Sequence, residues 1–300
     1  MSAPRLVDEI SNPPGHLSYS SAPTWHDCPA NYAAIREQPH LDTVTPAQIR
    51  GTLTHWVTET VCREAQQAGM DPGWDGQVMA DLAVEAVEAF RADPGNTDDT
   101  AMFDSWSAQE QANILASVVE CLTRLRFLDP LPAGIEIVGV EQRLETTVGG
   151  VPFVSIVDLA YRTSSGVVLV DWKTGKAPAP RYRSGVRRQL RLGAAAWFNS
   201  TGVMPVGVQA VWLGDPSGTE TIAAVRAEVS AAVGWMRRAW DGIHAAEFAP
   251  NGSPLCGWCP LVAVCPTGQQ VVTGRDTEGR STGPHGAAWL ATQPEPSHPF

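Results

Sequence analysis

Two short apolar runs end in carboxylates: Val154-Ser-Ile-Val-Asp158 and Val167-Val-Leu-Val-Asp171-Trp172-Lys173. Both have the composition of β-strands, and residues two apart on a strand share a face. Asp171 and Lys173 therefore project together, while Trp172 points the opposite way. If the two strands pair, Asp158 comes to lie beside Asp171. Two carboxylates and an amine at strand ends suit a hard divalent cation, Mg²⁺ or Mn²⁺, which takes oxygen ligands and retains waters. Such a site stabilises charge on a phosphate and lowers the pKa of an attacking water, with Lys173 orienting that water or neutralising charge.

Cysteine is the second residue type with chemical reach. Six occur, at positions 28, 62, 121, 256, 259 and 265. Cys256, Cys259 and Cys265 fall within ten residues, a spacing of metal or cluster ligation. Cys62 and Cys121 sit inside helical patterns and read as small core residues. The chain of 300 residues carries 21 basic and 32 acidic side chains, a net charge of −11. Taken whole, that argues against non-specific nucleic-acid binding. Between Trp172 and Gly214, however, there is no acidic residue, and Lys173, Lys176, Arg181, Arg183, Arg187, Arg188 and Arg191 all occur there. A basic island in an acidic chain reads as a local anion site.

The elements that must position these residues follow from periodicity. Helical spacing covers Thr45–Gly69, with Thr45 as N-cap and Pro46 in the first turn, and returns over Gln77–Ala92 and Ala108–Phe127. A turn-rich segment, Asp93–Thr100, separates the last two. Ile135–Leu144, Val151–Tyr161 and Val167–Trp172 then read as strands, the first two joined as a hairpin by Gly149-Gly150. A helix over Arg183–Asn199, a strand over Pro205–Leu213 and one long helix over Thr221–Phe248 complete the pattern. This is an α/β core with helical additions. Residues 1–17 are expected to be ordered only in part, and the Gly-, Ser- and Pro-rich stretch 268–300 to be a disordered tail. The sequence shows neither an apolar leader nor an apolar run long enough to span a membrane, so a cytoplasmic protein without membrane contact is expected.

The order of these motifs resembles the PD-(D/E)XK nuclease superfamily, in particular its RecB-like branch, which includes the CRISPR-associated iron–sulfur exonucleases. The matching residues are the helix motif Gly51-Thr-Leu-Thr-His55, an acidic residue on the first strand (Glu141), the strand Asp158, the triplet Asp171-Trp172-Lys173, and Gln189 on the following helix. The resemblance implies a restriction-endonuclease-like core, a mixed central sheet flanked by helices. It places one nuclease domain over 18–267, with a helical insertion at about 70–130 and a cluster-binding region built from the two ends. By the same resemblance His55, Asp158 and Asp171 are metal ligands, Lys173 is the catalytic lysine, and Glu141 joins them. One cysteine before the core and three after it, Cys28, Cys256, Cys259 and Cys265, match the iron–sulfur members. Four thiolates suit a [4Fe–4S] cluster, and zinc also accepts four cysteines. Two positions depart from the pattern: Ser155 stands where a glycine is usual, and Gly193 where the helix after the site usually carries tyrosine.

The implied activity is a Mg²⁺- or Mn²⁺-dependent deoxyribonuclease, an exonuclease on single-stranded ends. Lys176, Arg181, Arg183, Arg187, Arg188, Gln189 and Arg191 would grip the DNA backbone. Recombination, repair or CRISPR-adaptation proteins are the partners this suggests. The other reading is a non-catalytic accessory subunit that binds nucleic acid and holds a structural cluster or zinc.

Overall fold

A computed structural model describes residues 6–293 of the chain. They form two units. The larger is Val44–Gly234, and the smaller combines the residues up to Thr43 with those from Trp235 onward.

In chain order, a two-residue strand β1 (Leu17–Ser18) and helices α1 (Ser21–Asp27) and α2 (Pro29–Glu37) belong to the smaller unit. The larger unit opens with α3 (Pro46–Ala68). The side chain of Thr45 accepts the Gln48 N–H while the Gln48 side chain accepts the Thr45 N–H, and Gly69 closes the helix in the left-handed region at φ +64°. Thr45 thus caps the helix as its sequence position predicts, and Gly69 ends it as a left-handed C-cap. Ile49, Leu53, Val57, Val61 and Ala65 recur every four residues and form the buried face. Helices α4 (Gly76–Ala92), α5 (Thr97–Ser105) and α6 (Ala108–Leu128) follow, and α3, α4 and α6 pack on one another. The segment expected to be a turn, Asp93–Thr100, holds a turn over Pro94–Asn96 and the start of the short α5, whose polar sequence buries only Phe103.

Three strands come next: β2 (Glu136–Val148), β3 (Val151–Thr163) and β4 (Gly166–Lys173). Gly149 and Gly150, at φ +59° and +84°, make the hairpin turn between β2 and β3, where the left-handed region favours glycine. Helix α7 (Ser184–Thr201) then crosses over to β5 (Gly207–Trp212), which pairs parallel with β4, and β6 (Gly218–Ala223) closes the unit's sheet antiparallel to β5. Within this unit the strand order is β2-β3-β4-β5-β6. The sheet is mixed and flanked by helices, consistent with the expected core.

Strand β4 lies in the middle, and its residues 167–170 are all buried. Val168, Val170 and Trp172 join the cluster built on α3, α4 and α6. Their neighbours Asp171 and Lys173 therefore point to the other face, the one α7 crosses. Trp74 meets the Trp172 indole edge-on, with ring centroids 6.1 Å apart.

Two elements differ from the sequence expectation. The long helix over 221–248 is instead strand β6 followed by α8 (Arg226–His244): Gly218–Ala223 alternates exposure residue by residue, the period of a strand. The stretch expected to be a disordered tail holds α9 (Pro266–Thr277) and α10 (Gly283–Leu290), with Gly268, Val272 and Gly286 buried. Small residues let these short helices approach closely: Gly286 lies against Val272 and Gly257. The remainder of that expectation, 294–300, lies outside the described residues, as do the first five residues. No described helix is long and apolar enough to cross a membrane.

Because the Thr45 cap starts the helix that carries His55, Thr45→Ala is expected to lower the unfolding free energy by about 1 kcal/mol. Urea denaturation reads this; an unchanged midpoint would mean that Pro46 and core packing set the start of α3 unaided.

Candidate active site

The hydrogen-bonded ladder between β3 and β4 runs from Thr163↔Gly166 to Leu159↔Val170 and stops there. Beyond it, the backbone of Trp172 has no β3 partner, and two side chains take over. Its N–H donates to Asp158 Oδ2 at 2.7 Å, and its carbonyl accepts from His55 Nε2 at 2.9 Å. A carbonyl only accepts, so Nε2 carries the hydrogen and Nδ1 is turned the other way. Nδ1 then faces Glu141 Oε1 and Asp158 Oδ2, each at 3.6 Å.

Glu141 reaches this position through an unusual backbone. The β2–β3 register shifts between Ile137 and Gly139, and Glu141 itself sits at φ +42°. That is the left-handed region, where a residue with a long side chain is held at a cost of about 1–3 kcal/mol and which clusters at functional sites. His55, Glu141 and Asp158 offer ligand atoms that all lie within 4.8 Å of one another, the one such group among the described residues.

Beside this group stands a second. Lys173 Nζ lies 2.8 Å from Asp171 Oδ2 and donates to Gln189 Oε1 at 2.7 Å, while Gln189 Nε2 donates to Asp171 Oδ1 at 3.0 Å. Asp171 Oδ2 is buried and has no well-directed hydrogen bond of its own. Gln189 thus clamps the carboxylate and the amine in fixed relation.

The electrostatics follow from crowding. Burial alone drives the Asp158 carboxyl up, and Asp171 and Glu141 raise it further, against the lowering effect of His55 and the Trp172 N–H. Burial pulls His55 down, but Asp158, Glu141 and Asp171 together outweigh it and raise the imidazole to about 9. Burial likewise pushes the neighbouring Cys62 thiol up to about 12, with Glu141 and Asp158 adding to it. The pocket is one in which positive charge is wanted. Imidazole with carboxylate oxygens suits Mn²⁺ or Mg²⁺, and Asp171 Oδ2, held only by its ion pair with Lys173, is a further oxygen nearby, so the residues fit the ion.

A family model for the PD-(D/E)XK nuclease superfamily matches residues 16–266. The chain belongs to that superfamily. Membership implies metal-dependent nuclease activity with Mg²⁺ or Mn²⁺. No curated protein matches the chain. Among solved structures, one described as "Crystal structure of SSO0001" is similar over 60% of this chain and 84% of that chain, at 14% identity and a TM-score of 0.34. That likeness is too loose to bear on the site.

In this PD-(D/E)XK chain the structure brings together His55, Glu141, Asp158, Asp171, Lys173 and Gln189. The close ligand group contains Glu141 rather than Asp171, which is held instead by Lys173 and Gln189. Gln189, expected to face the DNA backbone, is occupied inside the site. The basic island is largely committed to acids: Glu220 on β6 pairs with Arg183 and Arg187, and Glu228 pairs with Arg191. These partners lie 33–37 residues downstream, beyond the acid-free window, so the window's composition concealed them. Arg181 stacks on the Tyr182 ring, Arg188 lies half-buried on α7, and Lys176 is exposed in the loop after β4. A Cβ at Gly193 would meet nothing within 4 Å, so the space of the missing tyrosine is open. The anchoring role of the Trp172 backbone carried no sequence signal.

Cys28, Cys256, Cys259 and Cys265 all belong to the smaller unit. Backbone N–H groups of Asn251, Ser253 and Gly268 point at the sulfurs of Cys28, Cys256 and Cys265. Burial pushes the Cys259 thiol up to about 11; the Leu261 N–H opposes this and the other three thiols add to it. Among the described residues, no three of these sulfurs come within 4.8 Å of one another. Cys62 and Cys121 are core residues of the larger unit.

The backbone of Glu141 yields a test. Glu141→Gly and Glu141→Ala both remove the carboxylate and should weaken Mn²⁺ binding, measured by calorimetry, by about tenfold or more. Only glycine relieves the φ of +42°, so Glu141→Gly should exceed Glu141→Ala in stability by about 1 kcal/mol. Equal stabilities would mean that the strand carries no strain at this position.

Proposed function

We propose that the protein is a DNA exonuclease acting on single-stranded ends, with a [4Fe–4S] cluster in its smaller unit. The observation that carries the catalytic part is the adjacency of two groups in a PD-(D/E)XK chain: the Lys173–Asp171–Gln189 clamp and the His55–Glu141–Asp158 ligand set. A cation bound there supplies charge stabilisation and a water of lowered pKa. His55, Glu141, Asp158 and Asp171 hold it, and Trp172 keeps the imidazole turned toward it. Lys173 presents a fixed positive charge to the reacting phosphate, its amine held between Asp171 and the Gln189 carbonyl oxygen.

The preference for unpaired strands rests on the cleft into which His55 and Glu141 open. It has a volume of about 830 Å³ and is walled by Trp56, Phe90 and Ile156, with Glu59, Asp93 and Asn96 at its polar edge. It has no lysine or arginine, so a phosphate backbone is unwelcome there. Apolar and aromatic walls instead suit an unpaired base, which every nucleotide can offer. Trimming of ends would place the enzyme in recombination, repair or CRISPR adaptation.

The cluster is supported by four cysteines in one unit and by the N–H groups aimed at three of their sulfurs.

Lys173→Ala should leave Mn²⁺ binding intact and cut turnover on end-labelled single strands by about 10²-fold or more, whereas Asp171→Ala should abolish cleavage. A Lys173 variant that cleaves at the wild-type rate would move the chemistry elsewhere. Rapid cutting of circular single strands would replace the exonuclease with an endonuclease.

Anaerobically purified protein should contain about four irons per chain. Cys28→Ser should lose them and Cys121→Ser keep them. One tightly bound zinc and no iron would overturn the cluster.

A further inference from the structure

We infer that the cavity at the far ends of β4 and β5 is a phosphate-binding subsite, built from Arg50, Arg124 and Lys176, that holds the substrate strand next to the reacting bond. The inference rests on the nuclease reading and adds to it a place for the neighbouring phosphate.

The cavity measures about 370 Å³ and is lined by Arg50 of α3, Ser117 and Arg124 of α6, and Thr174 and Lys176 of the loop after β4. Ligands of α/β sheets bind beyond the carboxyl ends of parallel strands, and β4 and β5 are this unit's parallel pair. The floor is rigid. Gly214 N–H donates to the Gly175 carbonyl, and a Cβ at Gly214 would come within 2.6 Å of the Gly175 and Lys176 backbone, so only glycine lets the two loops meet. Thr174 and its neighbours are thereby held one residue from Lys173.

The cations are arranged for a ligand. The Nε of Arg50 is buried without a hydrogen-bond partner, and no ion pair of the described residues includes Arg50 or Lys176. Such a donor costs free energy unless something accepts from it. Arg124 is oriented by the Leu213 carbonyl and paired with Glu120, and Asp215 stands exposed at the rim, so the cavity keeps one net positive charge. The hydroxyl of Thr174 completes a lining suited to a tetrahedral oxyanion, while Ser117 gives its hydroxyl hydrogen to the Ile114 carbonyl. The base cleft lined by His55 and Glu141 has no lysine or arginine. The two cavities are therefore chemically opposite, one for a base and one for a phosphate. Both lie beside α3, with Arg50 lining one and Gly51 the other.

The test couples protein and substrate. Binding of single-stranded oligonucleotides is measured by fluorescence anisotropy in Ca²⁺, each carrying one neutral methylphosphonate at a different position. For wild-type protein, one position should cost about tenfold in Kd; for Arg50→Gln and for Lys176→Gln the same position should cost nothing. If the sensitive position is instead the 5′-terminal phosphate, removing that phosphate reproduces the pattern and the subsite holds a strand end. Equal losses in wild type and both variants at every position overturn the subsite. The nuclease reading is judged separately, by whether cleavage in Mn²⁺ depends on Lys173. Lys176 is exposed in a loop, so its variant keeps the test informative should Arg50→Gln fail to fold.

Discussion

One peptide unit holds the site in register. Trp172 ends β4 with its indole locked in the core against Trp74, and its own N–H and carbonyl lie where β3 has already parted from the ladder. Backbone groups this deep must find partners, and they find Asp158 and His55. The same two bonds that satisfy the backbone set the direction of the imidazole and of one carboxylate oxygen. Burying the Trp172 ring on one face also obliges Asp171 and Lys173 to share the opposite one. A packing requirement and a hydrogen-bond requirement therefore fix the positions of four chemically active groups without any of them being placed independently.

That placement is unfavourable for the protein alone. Asp158, Glu141 and Asp171 concentrate negative charge where burial has already removed water, and Glu141 is held there against its backbone preference. Lys173 offsets part of the charge, and His55 offsets more by taking a second proton. A divalent cation held by His55, Glu141 and Asp158 would neutralise the same charge, so affinity for the ion would arise from repulsion that folding has already overcome. The strained strand and the raised carboxyl are two sides of one design: stability is given up at the place where a ligand returns it.

The sequence made most of this site legible because period-two alternation and the Asp-x-Lys spacing are local. Thr45, Gly69 and the Gly149-Gly150 turn likewise announce themselves through short-range chemistry. Three things were not local. The partner of Lys173 is Gln189, whose engagement depends on how α7 returns across the sheet. The neutralisation of Arg183, Arg187 and Arg191 depends on β6 and α8; the last three residues of β6, Thr221 to Ala223, read as the start of the following helix. The helices α9 and α10 are built from residues whose composition signals disorder, and they form because small side chains allow close contact that a composition count does not register.

The fate of the basic island changes how the protein must meet its substrate. Glu220 and Glu228 occupy three of the seven cations, and the Lys173 amine faces Asp171 and Gln189 inside the site. A chain of net charge −11 with three acids at its centre repels nucleic acid at long range. Attraction must then come from few cations placed within a Debye length of the reacting phosphate, about 8 Å at physiological salt. Arg50 and Lys176 are the candidates of the proposed subsite, one beside Gly51 of α3 and the other three residues beyond Lys173. Sparse cations release few counterions, so the salt dependence of binding is shallow. With the proposed base cleft and phosphate subsite, discrimination would depend less on how strongly a strand is attracted than on whether its phosphate and its unpaired base engage the two cavities together.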